Sequence, residues 1–204
     1  TQGQTLTASN TLADADGLGA ITYTWKADGS TVGTGSTYVV TEAAVGKVIT
    51  VVASYTDGHG TAESVTSAAT SAVANVNDAP SGSVTINDTT PTQSQTLTAS
   101  STLADADGLG TITYTWQADG STVGSGMTYV VTEAAVGKVI AVVASYTDGH
   151  GTAESVTSAA TSAVANVNDA PTGAPLISGS AAEGQTLSVD TSAIADADGL
   201  GPFS

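Results

Sequence analysis

An all-β chain of small two-sheet sandwiches in tandem is what this sequence predicts, and three observations carry the prediction. The first is composition. Thr, Ser, Ala, Val and Gly dominate and aromatic residues make up only 4%, which favours many short strands around small cores over helices. The second is repetition: Trp25 answers to Trp116 and Asp14 to Asp105 at a period of 91 residues, and Asp196 keeps the period. A chain that repeats itself so closely is an array of one unit rather than a set of unrelated domains. The third is punctuation. Asn75-Val76-Asn77-Asp78-Ala79-Pro80 returns as Asn166-Val167-Asn168-Asp169-Ala170-Pro171 and marks the joints. Residues 1–80 then read as a first repeat without its first strand, 81–171 as a complete second repeat, and 172–204 as the start of a third. In that last stretch Leu176, Leu187 and Ile194 lack a partner sheet, so it is expected to be disordered or complemented by a strand from another chain.

Within the second repeat the elements follow one another in short steps. Ser83 to Asn87 supplies a first strand. Gln95 to Ser100 turns Leu97 and Ala99 inward, and the acidic turn from Asp105 to Gly110 ends it. Thr111 to Trp116 places Ile112, Tyr114 and Trp116 on one face, the period of two that marks a half-buried strand. Ala118-Asp119-Gly120-Ser121 is a turn, Thr128 to Thr132 a short strand, and Glu133 to Lys138 a polar corner between sheets rather than a helix. Val139 to Thr147 is the strongest strand, with Ile140, Val142, Ala144 and Tyr146 on one side. The turn Asp148-Gly149-His150-Gly151 leads into a last strand from about Ala153 to Val167. About seven short strands with a Trp in the third fit an immunoglobulin-like sandwich. With no cysteine in the chain, small apolar residues must hold each core without a disulfide, which is marginally stabilising at this size.

Charge narrows the function. Three Lys and Arg against nineteen Asp and Glu give a formal net charge of −16, which predicts a soluble, strongly anionic chain. Nucleic acid is excluded as a partner, because phosphate binding needs clustered basic residues, and an anionic membrane surface would repel the chain. No apolar run is long enough to suggest membrane insertion. Zero cysteines do not fix the compartment. His59 and His150 sit between glycines in turns. No nucleophile with an oxyanion pocket accompanies them, and one histidine per repeat without cysteine is too little for a zinc site. Both read as exposed turn residues, and the chain is not expected to be an enzyme.

The acidic residues recur in Gly-containing turns beside the linkers, and that placement points to Ca²⁺, which takes six to eight hard oxygen ligands. In an immunoglobulin-like sandwich the loop between the second and third strands, and that between the last two, lie at the end where the chain enters. The candidate ligands at the first linker are therefore Asn77, Asp78, Asp105 and Asp107, with Asp148 and Glu154 as lesser ones. Asn168, Asp169, Asp196 and Asp198 repeat the set, and Asp14 and Asp16 are the earlier copy of the acidic turn. The competing reading is that Asp-x-Asp-Gly simply makes a good turn, since Asp caps its own backbone and Gly accepts positive φ.

The Asn-Val-Asn-Asp-Ala-Pro linkers, the Ala-Asp-Ala-Asp-Gly-Leu-Gly turns, the Tyr-Thr-Trp strands and the Tyr-Thr-Asp-Gly-His-Gly-Thr-Ala-Glu-Ser segments resemble the tandem immunoglobulin-like repeats of giant bacterial surface adhesins of the RTX type. The resemblance spans essentially the whole chain. The linker is also similar to the Asp-x-Asn-Asp-x-x-Pro linker of cadherins, and Asp105-Ala106-Asp107-Gly108 before Tyr114 is similar to their Asp-Ala-Asp turn. Asn75 stands where cadherins carry Asp, and the Asp-Arg-Glu motif has no counterpart. What the resemblance implies is an extracellular protein of a bacterial cell surface, in many cases exported by type I secretion, whose repeats stiffen in extracellular calcium. The leading expectation is a structural extender with neighbouring repeats of the same chain as its partners. The rivals are a module that binds surface polysaccharide or other copies of itself, and a subunit of a filament or surface layer.

Pro80 and Pro171 prevent strand pairing at the linkers, so an extended row of sandwiches is expected. Small-angle scattering in calcium should return a rod-like particle; a radius of gyration of about 17 Å, that of one globular domain of this length, would reject the tandem arrangement.

Overall fold

A computed structural model describes residues 1–203. Their regular secondary structure is almost entirely β, with two single 3₁₀ turns as the helical segments among the described residues, and among those residues no helix is long and apolar enough to cross a membrane. The chain divides into two compact units. Residues 1–79 with 105–109 and 148–152 form the first, and 80–104, 110–147 and the chain from Ala153 onward form the second.

The first unit contains β1 (Thr5–Thr7), β2 (Thr22–Ala27), β3 (Ser30–Thr34), β4 (Thr37–Val39), β5 (Ile49–Thr56) and β6 (Ala62–Thr66). One antiparallel sheet has the order β3-β2-β5-β6, and β1 pairs with β4 in a second. Trp25, Ala27 and Ile49 from the larger sheet meet Tyr38 and Val40 from the smaller one, with Leu6 half-buried at the margin.

The second unit repeats the plan and extends it. Its strands are β7 (Val84–Ile86), β8 (Thr96–Ser101), β9 (Thr113–Ala118), β10 (Ser121–Ser125), β11 (Thr128–Val130), β12 (Ile140–Thr147), β13 (Ala153–Thr157), β14 (Leu176–Ser178) and β15 (Ser188–Asp190). A four-stranded sheet, β10-β9-β12-β13, faces a three-stranded one, β11-β8-β7. The alternation read from the sequence is the alternation of burial: Ile140, Val142, Ala144 and Tyr146 of β12 all point into the core, where they meet Leu97 and Ala99 of β8 and Val84 of β7. An immunoglobulin-like two-sheet sandwich is therefore the fold.

One aromatic pair anchors each core. The Trp116 ring stacks on Tyr129 at 5.7 Å, and the indole N–H donates to the Gly126 carbonyl at 2.9 Å; Trp25 does the same with Tyr38 and Gly35. Burying an indole is favourable only when its N–H finds an acceptor, and the glycine carbonyl at the β10–β11 corner supplies it. The hairpin before that corner turns on Asp119 and Gly120, with φ of 47° and 80°. Positive φ at both central residues is the type I′ geometry that matches strand twist, and the Asp119 carboxylate ties the turn down by accepting the Val139 N–H.

Four sequence readings change. β10 was not expected, because Ser-Thr-Val-Gly-Ser carries little apolar signal; it pairs with β9 through the backbone after the turn, with a register shift between Thr122 and Gly124. The corner at Glu133 closes as one 3₁₀ turn, Glu133–Ala135. The last strand does not run to Val167 but stops at Thr157. Beyond it Ser158 Oγ and Thr161 Oγ1 accept the Val142 and Ile140 N–H groups at 3.0 Å each, so side chains replace the ladder while the chain leaves β13. It then bridges to Val136 and Thr92 through Val164 and Ala165. At the far end β14 and β15 pair antiparallel, so the segment expected to be disordered or complemented by a strand from another chain carries a short ladder of its own, with Leu176 and Leu187 exposed.

Leu97 is 0% exposed in the second unit, whereas its counterpart Leu6 is only partly buried, because β7 covers β8 and nothing in the first unit covers β1 on that side. Leu97→Ala should cost roughly 2–5 kcal/mol and Leu6→Ala clearly less. Urea unfolding of the two variants checks this, and equal losses would contradict the difference in packing.

Candidate metal centre

The acidic turns are built by their own side chains. Asp105 Oδ1 accepts the Asp107 N–H at 2.9 Å, and Gly108, at φ 99°, lets the chain reverse. Asp148 Oδ1 accepts the N–H groups of His150 and Thr152 at 2.9 and 2.7 Å. The two turns are laced together by the Gly149 N–H, which donates to the Asp107 carbonyl at 3.0 Å. A Cβ at Gly149 would lie 2.5 Å from that carbonyl oxygen, so only glycine permits the approach.

The linker reaches this pair of turns through Asp78. The Asp78 N–H donates to Asp107 Oδ2 at 2.6 Å, while Gln2 Nε2 donates to Asp78 Oδ2 at 2.7 Å. Asp107 is only 4% exposed, and its other oxygen, Oδ1, is buried and accepts no hydrogen bond among the described residues. Glu42, at the head of the 3₁₀ turn Glu42–Ala44, reaches the same place. Ligand atoms of Glu42, Asp107 and His150 lie within 4.8 Å of one another. Glu42 Oε1 is 2.9 Å from His150 Nε2, and its Oε2 is buried without a partner. The hydrogen bond to Glu42 raises the His150 pKa above its ordinary value, against the lowering caused by burial.

The same geometry recurs one period later. The Asp169 N–H donates to Asp198 Oδ2 at 2.7 Å, and Gln93 Nε2 donates to Asp169 Oδ2 at 2.6 Å. Glu133, Asp169 and Asp198 gather ligand atoms within 4.8 Å, and Glu133 Oε2 is again buried and unpartnered. Buried acceptor-only oxygens without a donor are costly; the first cluster holds two, Glu42 Oε2 and Asp107 Oδ1, and the second one, Glu133 Oε2. The oxygen sets fit a hard cation.

The candidates read from the sequence are distributed unevenly over these clusters. Asp107, Asp169 and Asp198 place ligand atoms there, whereas Asp78 reaches the first cluster through its backbone N–H and gives Oδ2 to Gln2. Asp105 and Asp196 each spend one oxygen closing their own turn, and the amides of Asn77 and Asn168 donate to the next residue's carbonyl. Asp14 accepts the Tyr55 hydroxyl at 2.8 Å, which pushes that phenol's pKa up to about 12, and Asp16 lies 3.6 Å from His59. Glu154 stands on β13 opposite Tyr146. Glu42 and Glu133 were missed by sequence reasoning. Their one signal was the unchanged Thr-Glu-Ala-Ala-Val-Gly in both copies, which reads as a structural corner.

No family model matches this chain. No curated protein sequence matches it either. Among solved structures it is similar to the fibronectin(III)-like modules of CbhA from Clostridium thermocellum, at 19% identity over 81% of this chain and 87% of that one, with a TM-score of 0.31.

Burial is the largest influence on Asp148 and pushes its pKa up, but the Thr152 and His150 N–H groups outweigh it and hold the carboxyl below the usual range. A depressed carboxylate stabilises the fold above its unfolded-state pKa and loses that contribution as pH falls through the folded value. Asp148→Asn should therefore flatten the acid limb of stability below about pH 4 and leave the neutral region parallel to wild type. Thermal melts from neutral to acid pH read this directly; an unchanged acid limb would contradict the role given to Asp148.

Proposed function

We propose that this chain is a run of structural extender repeats from an adhesin of the bacterial cell surface, stiffened by Ca²⁺ at the joints between consecutive sequence repeats. The observation that supports this reading is the recurrence, at both Asn-Asp-Ala-Pro linkers, of one arrangement. The linker Asp donates its N–H to the second Asp of the Asp-Ala-Asp turn, beside a glutamate with a buried, unpartnered oxygen. A fold needs no such arrangement twice. A spacer that must set the angle between successive units does, because a device at every joint works only if every joint carries it.

At the first joint Asp78, Asp107 and Glu42 would hold the ion, with backbone carbonyls and water completing its shell, and Asp169, Asp198 and Glu133 would do so at the second. Each pair of like charges held close together without a cation costs on the order of 1 to 4 kcal/mol at solvent-like to surface dielectric. Without calcium the linker opens; with it the charges become one clamp. An affinity of roughly 10⁻⁴ to 10⁻³ M, typical of extracellular modules, would leave the chain limp in the cytosol and stiff outside the cell. Partners are neighbouring repeats. Near-identical copies serve length more directly than they serve a ligand site, although avidity could also use them.

The test is a two-colour distance measurement across Pro80, titrated with calcium. The distribution should narrow on addition of the ion in wild type and stay broad in the Asp105→Asn, Asp107→Asn double variant, with both sandwiches still folded by circular dichroism. A distribution indifferent to the ion and to both substitutions would reduce these turns to turns.

A further inference from the structure

The cluster at the first linker includes an imidazole, presented by its Nε2 to Glu42. A proton on Nε2 satisfies one oxygen only. It leaves Glu42 Oε2 and Asp107 Oδ1 buried and without donors, the latter on a side chain that is 4% exposed. A dication bound by all three side chains would satisfy these oxygens together. Calcium makes little use of a nitrogen donor, since its ligands are oxygens, whereas imidazole with carboxylates suits zinc and its neighbours. Ligand atoms within 4.8 Å of one another require only small side-chain movements to reach the roughly 2.0–2.2 Å bonds of a zinc centre.

We propose that Glu42, Asp107 and His150 form a three-ligand site for a divalent transition metal of the Zn²⁺ class, with water in the fourth position. The side chains of His150 and Glu42 are 33% and 30% exposed, which leaves a path for the ion and room for the water. The site does not depend on the calcium reading, but the two ions draw on the same Asp107 and Glu42 carboxylates and so compete. His59 is the built-in control. It occupies the equivalent turn, yet its ring is 75% exposed and its acidic neighbour, Asp16, stands 3.6 Å away and is 63% exposed, so no cluster forms around it.

The test uses the full chain in calcium-free buffer, titrated with Zn²⁺ by calorimetry and with Co²⁺ by visible absorbance. One equivalent of Zn²⁺ should bind with micromolar affinity, and Co²⁺ should give ligand-field bands. His150→Gln and Glu42→Gln should each weaken binding by more than about 100-fold, above the loss typical of outer-shell partners, and abolish the bands. His59→Gln should leave both readings unchanged, and melting temperatures in chelator should match wild type for all three variants. Absence of Zn²⁺ binding, equal binding in wild type and His150→Gln, or loss on His59→Gln would each overturn the proposal. Adding calcium afterwards separates the two readings: displacement of Zn²⁺ supports a shared Asp107, and failure to displace it counts against calcium there while leaving the zinc site standing.

Discussion

Each sandwich depends on one buried indole. Trp116 places its face on Tyr129, its N–H on the Gly126 carbonyl and its edge among the inward residues of β8, β9 and β12. With 4% aromatics and no cysteine, the rest of the core is Val, Ala, Ile and Leu, whose small side chains fill space without fixing it. A large planar ring that is hydrogen-bonded at one end admits a single orientation, and the two sheets must then meet at the separation it sets. The positive-φ hairpin at Asp119-Gly120 and the corner at Gly126 follow from the need to bring a carbonyl to the indole nitrogen.

With the core held in this way, the loops at one end are free to carry charge. The Asp-Ala-Asp turn and the Asp-Gly-His-Gly turn each satisfy their own backbone first, through Asp105 and Asp148. They are then locked to each other at Gly149, where a side chain has no room. What remains over is the second aspartate, Asp107, with one oxygen on the Asp78 N–H and the other buried and unmatched. A sequence selected only for a good turn would not bury that oxygen, nor bring Glu42 to it from the other side. In the proposed function the unmatched oxygens are half of an interaction whose other half is an ion.

The carboxylates recur with the 91-residue period, so any property that rests on them is shared by every joint. An imidazole joins them where the Asp-Gly-His-Gly turn folds back on Glu42.

The sequence by itself determined the strand pattern of β8, β9 and β12, because alternation with period two is a local property that burial must respect. It determined the repeat, and it located the acidic turns, because Asp and Gly close such turns through their own side chains and backbone. It did not reveal β10, whose pairing is a backbone matter with no apolar signature, nor the early end of β13, where Ser158 and Thr161 substitute for the ladder. Only the tertiary structure decided the membership of the clusters. Glu42 is 65 residues from Asp107 and 108 from His150 in the chain, and no spacing rule connects a corner glutamate to a turn histidine. Their meeting is fixed by where two sheets place their loops, so the histidine set aside for want of a second nitrogen ligand found carboxylates that only folding brings near.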